Sequence, residues 1–95
     1  SVTFRHTEPT DALKSYAEEK IQHCLEKYVH GSAEVHVILS VEKHGQFAEV
    51  IVSAKPYELT GKAETDDLYA SIDRVVDILT AQIRKQKGRV VEEKH

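Results

Sequence analysis

The sequence predicts an α+β fold: a two-layer β-α-β-β-β-α sandwich, with a four-stranded sheet carrying both helices on one face. Three observations support this. Apolar residues alternate with a period of two in four short segments and recur with helical spacing in two longer ones. Each helical segment has a single apolar stripe and the sheet has one apolar face, so the elements can bury one another only if both helices cover the same side. Ninety-five residues without a repeat, linker or low-complexity stretch make one domain, spanning residues 1–95.

In chain order, Ser1 to His6 alternates around Val2 and Phe4 and reads as a first strand. Thr10 is a good N-cap and Asp11 complements the dipole of a helix expected from Ala12 to Tyr28, with Leu13, Ala17, Ile21, Cys24 and Tyr28 as its stripe. His30-Gly31-Ser32 stops it. Ala33 to Glu42 returns to period two, with Val35, Val37, Leu39 and Val41 on one side. Lys43-His44-Gly45 predicts a hairpin turn in which Gly45 can take a positive φ. Gln46 to Ala54 is the third strand, Lys55-Pro56 breaks it, and Tyr57 to Glu64 is the fourth. Thr65-Asp66-Asp67 caps a last helix from about Leu68 to about Arg89, with the stripe Leu68, Ile72, Val75, Leu79 and Ile83 flanked by Tyr69 and Val76. Val90 to His95 is expected to fray.

Composition narrows the class. At 40% hydrophobic and 31% charged residues, with only four Gly and two Pro, the chain reads as a globular domain. No apolar run is long enough for a bilayer, and Ser1-Val2-Thr3-Phe4 is not a secretion signal, so no membrane partner is expected. The single cysteine, Cys24, cannot form an internal disulfide and fits a reducing cytoplasm; its place in the stripe makes it a packed thiol rather than a nucleophile. The absence of methionine means either that an initiator was removed before Ser1 or that the chain is a fragment.

The net charge of −3 argues against a nucleic-acid partner unless the cations are clustered. On the first helix, Lys20, His23 and Lys27 fall on one flank of the stripe, while Lys14 projects elsewhere. On the second, Arg74 and Lys85 lie about 20° apart in azimuth and three turns apart. Arg84, Lys85, Lys87 and Arg89 then form a run of cations without an acid. Acids at a helix start and bases at its end are what the macrodipole favours, so this pattern alone reads first as a solvated helix. The cations at the end exceed what a dipole requires, which keeps phosphate binding open. The sheet's open face should carry Glu34, Glu42, Glu49, Glu58 and Glu64 with Phe47 as its one obvious aromatic, so bases cannot stack across it and any RNA must meet the helices.

Other chemistry finds little support. The six histidines, including His30 and His95, show no paired ligand spacing, so no metal is expected. There is no Gly-rich phosphate loop and no acid–base pair in an apolar setting; neither catalysis, a cofactor nor a small-molecule substrate is expected.

Asp67-Leu68-Tyr69-Ala70-Ser71-Ile72-Asp73, followed by Asp77-Ile78-Leu79, Gln82-Ile83 and Lys85-Gln86-Lys87, resembles the ribosome hibernation promoting factor family, also called the ribosome-associated translation inhibitors. The likeness extends to the first helix from Thr10 and to the strand from Val35 to Lys43. The resemblance implies a fold akin to double-stranded RNA-binding domains and a non-catalytic factor of the cytoplasm. Such a factor binds the small ribosomal subunit and its ribosomal RNA, not DNA, in the channel of messenger and transfer RNA. It implies hibernation of ribosomes in stress or stationary phase. By the same resemblance Lys20 and Lys27 match RNA-contacting positions of the first helix, and Lys85, Lys87 and Arg89 those of the second.

Two departures stand out. The family often has bases where this chain has Ile78 and Ala81, a gap that Arg74 and Arg84 could fill, and the first helix has one extra residue around His23-Cys24. The expected RNA-binding set is therefore Lys20, His23, Lys27, Arg74, Arg84, Lys85, Lys87 and Arg89. A general double-stranded RNA-binding module is the alternative reading. The family has short forms, and long forms with an added dimerisation domain; the chain fits a short form or the N-terminal domain of a long one.

Overall fold

A computed structural model of the chain describes residues 1–29, 31–54 and 57–93, with side chains as far as Gln86. The element order is β1 (Val2–Arg5), α1 (Asp11–Glu26), β2 (Glu34–Glu42), β3 (Gly45–Ala54), β4 (Tyr57–Thr65) and α2 (Leu68–Glu93), as the sequence predicts. The strands lie in the order β1-β2-β3-β4. β1 runs parallel to β2 with Val2 opposite Val37, which α1 makes possible by carrying the chain back along the sheet. β2, β3 and β4 form an antiparallel meander, with Val37 opposite Val50 and Val50 opposite Gly61.

That register puts Val37, Leu39, Ala48, Val50, Val52, Ala54, Leu59 and Ala63 on one face, all buried. Ile72, Val75, Leu79 and Ile83 of α2 are 0% exposed against it. Each such Leu, Ile or Val stabilises by about 1.5–3 kcal/mol on full burial. α2 packs on β3 and β4, where the floor is made of small residues. Gly61 is the tightest point: a Cβ there would stand 3.1 Å from Val75 and 3.3 Å from Ile78, so the glycine sets how close α2 can come. α1 covers the β1 side less closely. A groove of about 350 Å3 remains under it, lined in part by Ile21, Leu25, Val29 and Val35.

The caps act as the sequence chemistry predicts. Thr10 Oγ1 accepts from the Leu13 amide at 3.2 Å. Asp67 Oδ1 accepts from Tyr69 N at 3.2 Å, and Gln46 Oε1 reaches over from β3 to accept from Leu68 N at 2.9 Å. Ser71, fully buried, donates to the Gln46 carbonyl at 2.6 Å and so ties α2 to the start of β3.

Four expectations change. α1 ends at Glu26, not Tyr28, because the backbone tightens: Tyr28 N bonds to Leu25 O three residues back at 3.0 Å. Leu25, one turn from Ile21 and still within the helix, completes the buried stripe, and Tyr28 is only half-buried. Gly45 does not use a positive φ; it is Gly31 that does, at 126°, while a Cβ on Gly45 would run into the Glu64 side chain. α2 continues past Arg89 to Glu93, since Val90-Val91-Glu92-Glu93 contains no helix breaker. His30, Lys55-Pro56 and residues 94–95 lie outside the described residues.

Candidate nucleic-acid interface

α1 and α2 lie side by side on the sheet, and their contacts climb together: Tyr16 meets Asp73, Cys24 meets Thr80, and Tyr28 meets Arg84. The helices are thus parallel, with a seam between them facing away from the sheet. Sequence periodicity explains which side chains reach it. Tyr16, Lys20, His23 and Lys27 follow at spacings of four, three and four and make one flank of α1. Tyr69, Asp73, Val76, Thr80 and Arg84 do the same on α2.

The two ends of the seam differ. At the first, Tyr16 Oη donates to Asp73 Oδ1 at 2.6 Å, and Lys20 Nζ stands 3.9 Å from the same oxygen. The Lys20 ammonium is 5.5 Å from the centroid of the Tyr16 ring, and Tyr69 meets that ring edge-on at 5.0 Å. The hydrogen bond to Asp73, then burial and the surrounding negative charge, hold the Tyr16 hydroxyl above its ordinary pKa. At the other end Arg84 Nε donates to Tyr28 Oη at 3.3 Å, which raises the pKa of a guanidinium already always charged. Between them Cys24 Sγ lies 3.2 Å from Thr80 Oγ1, so the thiol is a buried packing group, as its place in the stripe implies.

The predicted site residues divide into three groups. Lys20, His23, Lys27 and Arg84 border the seam, and all four are exposed. Arg74 and Lys85 are also exposed, but the helical period turns them about 80–100° from Arg84, onto the outer back of α2 with Ala81. The structure therefore brings Arg84, not Arg74, to α1. Among the described residues Arg74 has no hydrogen bond or ion pair, leaving its guanidinium free to meet an external anion. The side chains of Lys87 and Arg89 lie outside the described residues. Sequence reasoning missed Tyr16, Tyr28 and Asp73 as seam residues. Tyr16 could have been found from its spacing of four from Lys20; its pairing with Asp73 could not, since the two are 57 residues apart.

The open sheet face is acidic as expected. Glu34, Glu42, Glu49, Glu58 and Glu64 alternate with the core residues, against Arg5 and Lys62 as full cations. Lys62 lies 5.1 Å from the Phe47 ring centroid and covers the face's one aromatic. At the β1 corner His6, with a φ of 59°, turns its Nδ1 to Glu42 Oε2, which also accepts from Ser40 Oγ. These bonds, that from Ser40 first, hold the Glu42 carboxyl below its ordinary pKa. Ser40 and His6 meet the same oxygen, so they form no relay from base to nucleophile. No group of potential metal ligands occurs among the described residues, and no described helix is long and apolar enough to cross a membrane.

Residues 1–91 match the model of the family described as Sigma 54 modulation protein / S30EA ribosomal protein. The chain is 36% identical over 92 residues to the ribosome hibernation promoting factor of Azotobacter vinelandii, covering 97% of this chain and 85% of that one. It is 31% identical over 90 residues to the protein of the same name from Escherichia coli K12, covering 95% and 94%. Among solved structures it is similar to the N-terminal domain of Protein Y from Thermus thermophilus, at a TM-score of 0.80 and 33% identity over 88% of this chain and 92% of that one. A ribosomal subunit interface protein from Coxiella burnetii shares the fold, at a TM-score of 0.73 and 19% identity over 92% and 97%.

Proposed function

The chain belongs to the ribosome hibernation promoting factor family, and from that premise we propose that it binds the small ribosomal subunit with the outer surface of its two helices. It would lie in the channel that messenger RNA and the A- and P-site transfer RNAs otherwise occupy. Its action is steric: a filled channel cannot accept message or transfer RNA, so an idle ribosome of stressed or stationary cytoplasm stays silent without any reaction being catalysed.

One observation carries this reading. The helical surface offers Lys20, His23, Lys27, Arg74, Arg84 and Lys85 as exposed bases, while the open sheet face presents glutamates. Acids such as Glu18, Glu19 and Asp77 are exposed on the helices too, so phosphates will be drawn to the flanks that bear the bases and repelled by the sheet face. Lys87 and Arg89 extend the basic run along the same helix.

Cosedimentation with purified small subunits, with and without excess plain RNA duplex, tests the proposal. Retention in the presence of competitor is expected. Failure to pellet with subunits would remove the reading, and complete competition by duplex would replace it with that of a general double-stranded RNA binder.

A further inference from the structure

Asp73 places a carboxylate at one end of the seam, on the helical surface that carries the exposed bases. It is half exposed, and two groups of α1 converge on its Oδ1: the Tyr16 hydroxyl at 2.6 Å and the Lys20 ammonium at 3.9 Å. Tyr16 is itself held edge-on by Tyr69 and lies beneath the Lys20 ammonium. An exposed ion pair of this length contributes little to folding. Its effect on the site is larger, because lysine has a flexible four-carbon stem that would otherwise sweep a wide arc.

We propose that Asp73 is a selectivity-determining positioning residue: it holds Lys20 against the Tyr16 ring, within reach of one phosphate position, and repels RNA backbones that place phosphates elsewhere along the seam. The inference rests on the helices being the RNA-facing surface and adds how that surface chooses among RNAs. A phosphate on the far side of the clamped ammonium meets the cation first and the carboxylate from behind it. A phosphate arriving over α2 meets Asp73 directly, with Asp77 about one turn further on. A regular duplex repeats its charges at short, fixed intervals and cannot avoid that approach. A folded RNA with phosphates at irregular positions can. The carboxylate therefore weakens binding to the wrong RNA more than to the right one.

The test compares binding to small ribosomal subunits and to a plain RNA duplex, at several salt concentrations, for the wild type and three variants. Asp73→Asn has the same shape and still accepts the Tyr16 hydrogen bond, so the seam stays folded while the charge is lost. It should tighten duplex binding by about three- to tenfold, the Coulomb effect of one charge several ångströms from phosphate in a largely aqueous setting. Subunit affinity should stay within about twofold, so the subunit-to-duplex ratio falls by nearly the same factor. Asp77→Asn removes a charge nearby but touches neither Tyr16 nor Lys20, and should lower the subunit-to-duplex ratio by clearly less than Asp73→Asn does. Adding Lys20→Ala to Asp73→Asn should erase the duplex gain. A ratio unmoved by Asp73→Asn, or moved as far by Asp77→Asn, overturns the proposal and leaves the RNA-facing reading standing. A wild-type chain that binds no subunits overturns both.

Discussion

The two ends of the α1–α2 seam use opposite chemistry for the same structural purpose. Near Tyr16 an acid of α2 anchors a tyrosine and a lysine of α1. Near Tyr28 a base of α2 anchors a tyrosine of the turn that follows α1. Neither group lies in a terminal turn of α2, which runs from Leu68 to Glu93, so the macrodipole does not account for this polarity. The functional consequence differs from the structural one. At the first end the cation is already paired and its phosphate must compete with Asp73. At the second, Arg84 keeps most of its donors for an outside anion, with Lys85 alongside. Electrostatic grip should therefore be concentrated at the second end, and discrimination at the first.

The largest effect expected is one that breaks both ends together. Leu79 is 0% exposed beneath the middle of the seam, and Leu79→Ala should cost about 2–5 kcal/mol in chemical denaturation. A loss under 1 kcal/mol would show that α2 repacks freely on its small-residue floor. Next, Arg84→Glu with Lys85→Glu should lower subunit affinity by well over about tenfold, while Lys20→Ala should lower it by only about two- to threefold. Equal losses would erase the contrast between the ends.

A smaller effect concerns Arg74, exposed on the back of α2 and without a described partner. Arg74→Ala should reduce affinity by about threefold and the slope of log affinity against log salt by about one. If both stay unchanged, Arg74 takes no part in holding RNA. The smallest effect is on pH dependence. The pKa of Tyr16 is raised in the folded state, so its contribution is present in full below the ordinary value of 10.0 and is lost as pH rises through the folded value. Alkaline denaturation should therefore loosen the Asp73 end first, and Tyr16→Phe should flatten the stability profile above pH 10.0. A profile that is unaltered in the variant would place the alkaline transition elsewhere.

Much of the fold could be read from local pattern. The Thr10 cap, the four inner residues of α2 and the alternation that leaves five glutamates on the open sheet face depend only on neighbours and on burial. What was misjudged was also local, but finer. Leu25 joins the core because it stands four residues after Ile21 on a stripe wider than expected, and Gly45 does not use a positive φ. The site was half legible. Lys20, His23 and Lys27 follow from one helix's period, as does the shared azimuth of Arg74 and Lys85. Whether a given cation is free or engaged does not.

The amino-acid sequence by itself determined the order of elements, which face of each is apolar, and where the bases cluster, because these follow from periods of 2 and 3.6 and from capping chemistry. Only the tertiary structure decided that Lys20 meets Asp73 and that Arg84, rather than Arg74, turns toward α1. That depends on how far one helix is advanced along the other. The advance is set by where each packs on the sheet, α2 being drawn down over Gly61 and α1 over the β1 side. Neither helix's own sequence contains that relation.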